Sequence, residues 1–402
     1  MTKRALAISV ILLTALVAIV GCGQQATPMA TPTATRTPAP AATNTPQPPT
    51  ATATPRPTST LAPSPTAEEL DPTPFPPDVN PLTGLQVEDE ALLDRIPLAI
   101  KVSNSPPARP QSGLGSADLV FEHITEARIT RFTAVFYANE PERVGSVRSG
   151  RMVDLEIPAM YHALFGYSGS SAGVKELVRR SDLFPDYIAA PDFGAGEPYF
   201  YRVPQAGKDF EHTLFASPAA LRDLAEEREI NERPEFPKHM AFSENIPNVE
   251  GIPDITRANI NYPDRSSWAQ WDYDADSGYW LRTMNGVPHV DSLTGEQIRA
   301  ANVVLVYANH VNADFWEQMI GAQSSWLLSV EIQLWGQGSA LILRDGKMLQ
   351  GYWQREARDE MLTFVNDGGA PLPLKPGNTW FQVVTLDTET TEENPGEYLF
   401  VP

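Results

Sequence analysis

The sequence predicts a mixed α/β domain followed by a mainly β domain, both carried behind an amino-terminal signal and a disordered tether. Three features point there: an apolar run ending at the chain's single cysteine, a long tract of Thr, Pro, Ala and Ser, and a globular remainder whose apolar pattern changes past residue 235.

The amino terminus, MTKRALAISVILLTALVAIVGCGQQ, sets Lys3 and Arg4 before an apolar run from Ala5 to Val20. The run is shorter than the roughly 20 residues of a membrane span, so it reads as a secretory signal. It ends at Ile19-Val20-Gly21-Cys22, two aliphatic residues, a small one and cysteine, the form of a lipobox. A lipoprotein signal over 1–22 is therefore expected, with Cys22 lipidated and the mature chain anchored in the cell envelope, outside the cytoplasmic membrane, without spanning it. Cys22 is the only cysteine in 402 residues. Once it is modified no thiol remains for a disulfide, and the fold must rest on its core.

Residues 23–77 are built almost wholly of Thr, Pro, Ala and Ser. Such a tract has nothing to bury and cannot offset the entropy of folding, so it is expected to be a disordered tether. It would reach about 170 Å in polyproline form and about 40 Å as a flexible coil. Thr-Pro repeats are also the composition of O-glycosylated stalks.

The globular part divides at the Pro-rich NERPEFPKHMAF, residues 231–242, giving a mixed α/β domain over 78–235 and a mainly β domain over 236–402. Nearly all of the formal net charge of −20 falls here. Nucleic acid is excluded as a partner, since a phosphate backbone wants a basic footprint. A small cationic pocket is not excluded. In the first domain IPLAIKVSN, ADLVFEHIT and TRFTAVFY read as strands, whereas SGRMVDLEIPAMY, SAGVKELVRR and SPAALRDLAEEREI have helical spacing. The second domain, which holds all eight tryptophans, shows strand-like runs separated by Gly, Asn, Asp and Pro turns, so a sandwich or barrel-like sheet is expected.

Five segments, NPLTGL at 80, ARPQSGLGSADLVFEHITEARITRF at 108–132, VGSVRSGR at 144, YDADSGYWLRTMNGVPHVDSLTGEQIRAANVVLV at 273–306 and LKPGNTWFQVV at 374, span nearly all of the globular part. In them the chain resembles the YerB-like bacterial lipoproteins, whose two adjoining domains have no known function. The resemblance implies an envelope-associated protein and carries over no activity. Its arginine motif falls on Arg148, Ser149 and Arg151 without assigning them a role.

If Ser149 caps the helix that follows, Arg151 sits in its first turn, where the helix dipole repels a cation. Either internal acids compensate, with Glu122, Glu126 and Asp154 nearby in sequence, or a ligand carboxylate or phosphate does. The residues leave both open. The FGYSGSSAGVKELV stretch reads strand, Gly-rich turn, helix, so Gly169, Ser170 and Ser171 join Arg148, Ser149, Arg151 and Glu122 as a candidate anion site. Gly169 to Gly173 also fit G-x-S-x-G, which makes Ser171, with His212, a weak catalytic candidate for a serine hydrolase acting on envelope material.

The six histidines form no H-x-x-x-H pair, and no metal or cofactor is expected. Asp272, Asp274 and Asp276 begin like a calcium loop, but Ser277 stands where Gly is needed and Thr283 where a closing Glu is needed; the stretch reads as an acidic turn. Trp268, Trp271, Tyr273, Tyr279 and Trp280 could stack on a glycan if exposed. The expectation is a lipid-anchored binding protein for an anionic envelope component, or a glycan. A hydrolase, or an assembly lipoprotein with a broad apolar patch and no small-molecule site, stands as the alternative.

Overall fold

The computed structural model describes residues 75–247, 251–318 and 326–402. The signal with Cys22, and all but the last three residues of the expected tether, lie outside these. In the first domain the β-branched and aromatic runs form β1 (Leu98–Ser103), β2 (Leu119–Ile124) and β3 (Thr130–Phe136). The short strands β4 (Leu164–Gly166) and β5 (Ile188–Ala189) follow. The second domain adds β6 (Asn302–Gln318), β7 (Trp326–Gln333), β8 (Gly336–Arg344), β9 (Lys347–Arg355), β10 (Thr363–Val365) and β11 (Thr379–Thr385).

These strands make one sheet, in the order β10-β9-β8-β6-β11-β2-β3-β1-β4-β5, with β7 paired to β6. The mixed first domain and the mainly β second domain thus share a sheet. Their seam is the parallel pair β2–β11, with Leu119 opposite Thr379 and Phe121 opposite Phe381. Strands β1, β4 and β5 are also parallel to one another.

Both faces of the sheet are covered, which is why β1 to β3 are buried almost throughout. One face carries Phe121, Val135, Val304 and Phe381 against α1 (Ile157–Met160) and α2 (Ala172–Arg180). The other carries Phe132, Val303 and Trp380 against α3 (Pro218–Glu227) and a second, seven-stranded sheet that includes Ala269–Asp274 and Tyr279–Met284. Ser171 and Ser217 cap α2 and α3, each hydroxyl accepting a bond from the third residue on.

The expected helix over 149–161 forms only in pieces, a 3-10 turn at Met152–Leu155 and the single turn of α1. Pro158 explains the break: it has no N–H to donate, and its ring would clash with the Asp154 carbonyl of a continuous helix. Strand β6 behaves in two ways along its length. Asn302 to Ala308 pair with β11, whereas beyond Ala308 the strand leaves the sheet and pairs with β7 alone. This two-stranded arm lies back over the first domain. Phe315 rests on Gly173 of α2 so closely that a β-carbon there would come within 2.1 Å of the ring.

Candidate functional site

The arginine stretch and the Gly169 loop meet at the carboxyl ends of β1 and β4, the end at which open α/β sheets bind ligands. Arg148 N donates to Lys101 O at 3.0 Å, Ser168 N to Arg148 O at 3.0 Å, and Gly150 N to Gly169 O at 2.9 Å. Gly169 bends the loop at φ 148°, a value that favours glycine. The backbone thus holds these two segments side by side.

The cap differs from expectation. Arg151, not Ser149, occupies the N-cap position, and its N–H donates to Asp154 Oδ2 at 2.7 Å. The four-residue turn that follows has little dipole to repel a cation. The Arg151 side chain donates from Nε to Glu126 Oε2 at 2.6 Å and from Nη1 to Gly150 O at 2.9 Å. Glu317, on the arm, brings Oε2 to 4.0 Å from Arg151 Nη1. Its Oε1 accepts from Ser171 Oγ at 2.8 Å and Ser329 Oγ at 3.2 Å. Arg148 donates to Glu211 Oε2 at 3.0 Å, leaving its buried Nε without a partner among the described residues. The buried Ser170 hydroxyl and His212 Nδ1 are likewise unpartnered among the described residues.

Beneath this loop lies a sealed cluster. Lys101 Nζ donates to Asp154 Oδ1 at 2.8 Å and to Thr133 Oγ1 at 2.9 Å, and sits 2.5 Å from His123 Nε2. Burial pulls the Lys101 ammonium down to about 8, against the opposing Asp154 charge. Burial and the Lys101 charge hold His123 well below its ordinary value. Neutral His123 thus accepts from Lys101 and donates from Nδ1 to Ile124 O at 3.1 Å.

Arg131, opposite His123 on β2 and Ser103 on β1, is the cation that is not matched. Only 8% exposed, it donates from Nη1 to Ser149 O at 2.9 Å, and among the described residues no carboxylate lies within 4.0 Å of it. Burial, then the charges of Arg151 and Arg148, hold its pKa well below the ordinary guanidinium value. Three arginines around one loop, one of them without a direct ion pair, are suited to holding an anion.

Other sequence candidates fall elsewhere. Glu122 points to the opposite face of β2, where Oε2 accepts from Arg282 Nη2 at 2.8 Å and Trp380 Nε1 at 3.2 Å, and Oε1 from Thr130 Oγ1 at 2.7 Å. It does not join the arginine stretch. Trp271 and Trp280 are fully buried, and Trp271 and Trp380 flank the Arg282 guanidinium at 5.0 and 4.4 Å. Trp271 and Trp280 are core rings, whereas Trp268, Tyr273 and Tyr279 are half-buried and Tyr279 lines a cleft of about 560 Å³. Ser171 has a relaxed extended backbone and gives its hydrogen to Glu317; among the described residues no hydrogen bond joins it to His212, so the nucleophile-elbow reading lacks its base. The acidic turn closes on itself, with Ser277 Oγ donating to Asp274 Oδ2 at 2.5 Å. No cluster of three or more His, Cys, Asp or Glu that could hold a metal occurs among the described residues.

Lys101, Arg131 and Glu317 escaped the sequence reading. A signal for the first two existed, since each interrupts an otherwise apolar strand run, where a charge must find a partner or a ligand. Clefts of about 560 Å³ and 710 Å³ open elsewhere, around Asp118 and Phe242, and neither is lined by Arg131, Arg148 or Arg151. The arginine cluster lies instead under the arm.

Comparison with known proteins follows the same two-part division. A family model described as protein of unknown function (DUF3048), N-terminal domain, matches residues 82–231, and the corresponding C-terminal domain matches residues 258–381. YerB of Bacillus subtilis (strain 168), whose name makes it a candidate lipoprotein, is 29% identical over 321 residues, which is 79% of this chain and 89% of that protein. The crystal structure of YerB from Bacillus subtilis is similar at a TM-score of 0.62 and 27% identity, covering 77% of this chain and 97% of that one. With both domain models matched in order over more than half of its length, the chain belongs to the YerB-like family, whose two adjoining domains are of unknown function.

Proposed function

We propose that this protein is an extracytoplasmic lipoprotein, anchored through Cys22, that binds an anionic phosphate- or carboxylate-bearing component of the cell envelope at the arginine cluster. The lipobox-like Ile19-Val20-Gly21-Cys22 and the name of YerB support the anchor. Among the described residues no helix is long and apolar enough to cross a membrane. The observation that carries the ligand is Arg131, a buried guanidinium with one hydrogen bond, whose neighbouring charges include two more arginines. Glu126 and Asp154 oppose that crowding of cations only from beyond 4.0 Å, and an anion would add the direct ion pair that Arg131 lacks.

Thermal shift and calorimetric titration of the full chain in detergent, against inorganic phosphate, citrate and muropeptides, test this. An anion that binds only the native state raises its melting temperature. Arg131→Ala should weaken that binding by on the order of 2 kcal/mol, the worth of a charge-assisted contact. An unchanged melting temperature for every anion at tens of millimolar would refute the reading. The assembly-lipoprotein alternative has one observation in its favour: Val311, Trp316, Trp335 and Tyr352, on the arm and nearby strands, are exposed apolar side chains. Ser171 labelling by a fluorophosphonate would instead support the hydrolase.

A further inference from the structure

The charges around the site balance only when the arm is in place. Four cations, Lys101, Arg131, Arg148 and Arg151, face four carboxylates, of which Asp154, Glu126 and Glu211 each have a close cationic partner. The fourth is Glu317. It is 4% exposed, stands 4.0 Å from the nearest arginine nitrogen, and is held by two serine hydroxyls instead. It is also the only one of the four that comes from the arm, since the others lie in the first domain.

The arm is fastened along one face: Phe315, Val330 and Ile332 pack into the core and Ser329 is fully buried, with Phe315 on Gly173, Glu317 on Ser171, and Val330 N donating to Glu126 Oε1 at 3.4 Å. Gly173 is informative. A glycine in the first turn of α2 weakens the helix relative to alanine, and its φ does not require glycine. What requires it is the Phe315 ring, which a methyl group would meet at 2.1 Å.

We infer that the arm is a latch on the anion site: Glu317 is the site's resident anion, and a ligand anion bound beside Arg131 and Arg151 drives Glu317 and the β6–β7 arm outward. This rests on the anion-binding reading above and adds its regulation. The physical cause is like-charge repulsion. Two anions brought close together in a partly buried site repel each other, and the arm, attached to the sheet only at one end, is the element that can yield.

The test uses inorganic phosphate as the probe and the full chain in detergent, with calorimetry for affinity and hydrogen exchange over residues 309–318 and 326–333 for the arm. Glu317→Gln keeps the shape and removes the competing charge, so phosphate should bind on the order of tenfold more tightly. Gly173→Ala touches no charge and favours the helix, so it should fold; by displacing Phe315 it should raise affinity in the same direction and speed exchange in the arm without phosphate. In the wild type, phosphate itself should speed that exchange. If phosphate binds, and Arg131→Ala weakens it, while Glu317→Gln and Gly173→Ala bind as the wild type does, the latch is refuted and the anion site stands. If phosphate and the other anions bind to none of these proteins, both are refuted.

Discussion

Lys101 and Asp154 form an ion pair at 2.8 Å with side chains that are 0% and 2% exposed. The pair joins a central strand to the turn that carries Arg151, because Asp154 uses its other oxygen to hold the Arg151 N–H. A fully buried pair of this kind stabilises little compared with an apolar pair of the same volume, but it is costly to break on one side.

Replacing one partner should therefore do more harm than replacing both. Lys101→Met is expected to cost about 3–5 kcal/mol by stranding the Asp154 charge. Adding Asp154→Leu should recover part of that loss. Urea unfolding of the wild type and the two variants checks it; a double variant less stable than Lys101→Met would contradict the argument.

The Arg282–Glu122 pair on the other face makes a similar claim with an optical readout. Arg282 is fully buried, donates from Nε to His289 Nδ1 at 3.1 Å, and lies between Trp271 and Trp380. Arg282→Lys keeps the charge but loses the planar fork and its stacking. A loss of about 2 kcal/mol with a changed near-ultraviolet tryptophan circular dichroism signal is expected. An unchanged spectrum would mean that the rings do not register the guanidinium.

Asp118 gives the pH dependence. It is fully buried, accepts from Tyr137 N at 2.6 Å and Asn80 Nδ2 at 3.0 Å, and burial raises its carboxyl from 3.8 to about 6. Between those values the native state keeps a proton that the unfolded chain has lost. Its contribution is thus fully present below about 3.8 and is lost as pH rises through about 6; the shift corresponds to about 3 kcal/mol. Asp118→Asn should flatten the stability profile between pH 4 and 6, measured by urea melts. Profiles of equal slope would rule Asp118 out as the source.

Anchoring is tested apart from the fold. Cys22→Ser should abolish incorporation of a fatty-acid analogue and shift the protein from the membrane to the soluble fraction, or leave its signal uncut. Equal labelling of both forms would exclude Cys22 as the lipidated residue.

Local structure was legible where local chemistry decides it. Strands β1 to β3 follow from β-branched runs, and α2 and α3 begin at serines that cap them. The Gly-Ser turn lies beside Arg148, because a strand followed by a tight turn and a capped helix leaves few ways to place the loop. What could not be read was which face a charge takes. Glu122 and His123 are adjacent on a strand and point to opposite faces, and a choice between Glu122 and Glu126 as the partner of Arg151 needs the register of β2. Nor does any local pattern bring Glu317 to Ser171, a contact between residues 146 apart in sequence. Apolar spacing predicts a helix over 149–161, and the single proline at 158 breaks it into two short turns.

The seam between β2 and β11 sets an order on synthesis. Residue 119 is made long before its partner at 379, so for most of the time the chain is growing β2 has one side with N–H and C=O groups unpaired, ready to accept a strand from another molecule. The chain must therefore be made nearly whole before its central sheet can close. Truncations that end before residue 385 should aggregate instead of yielding a folded first half.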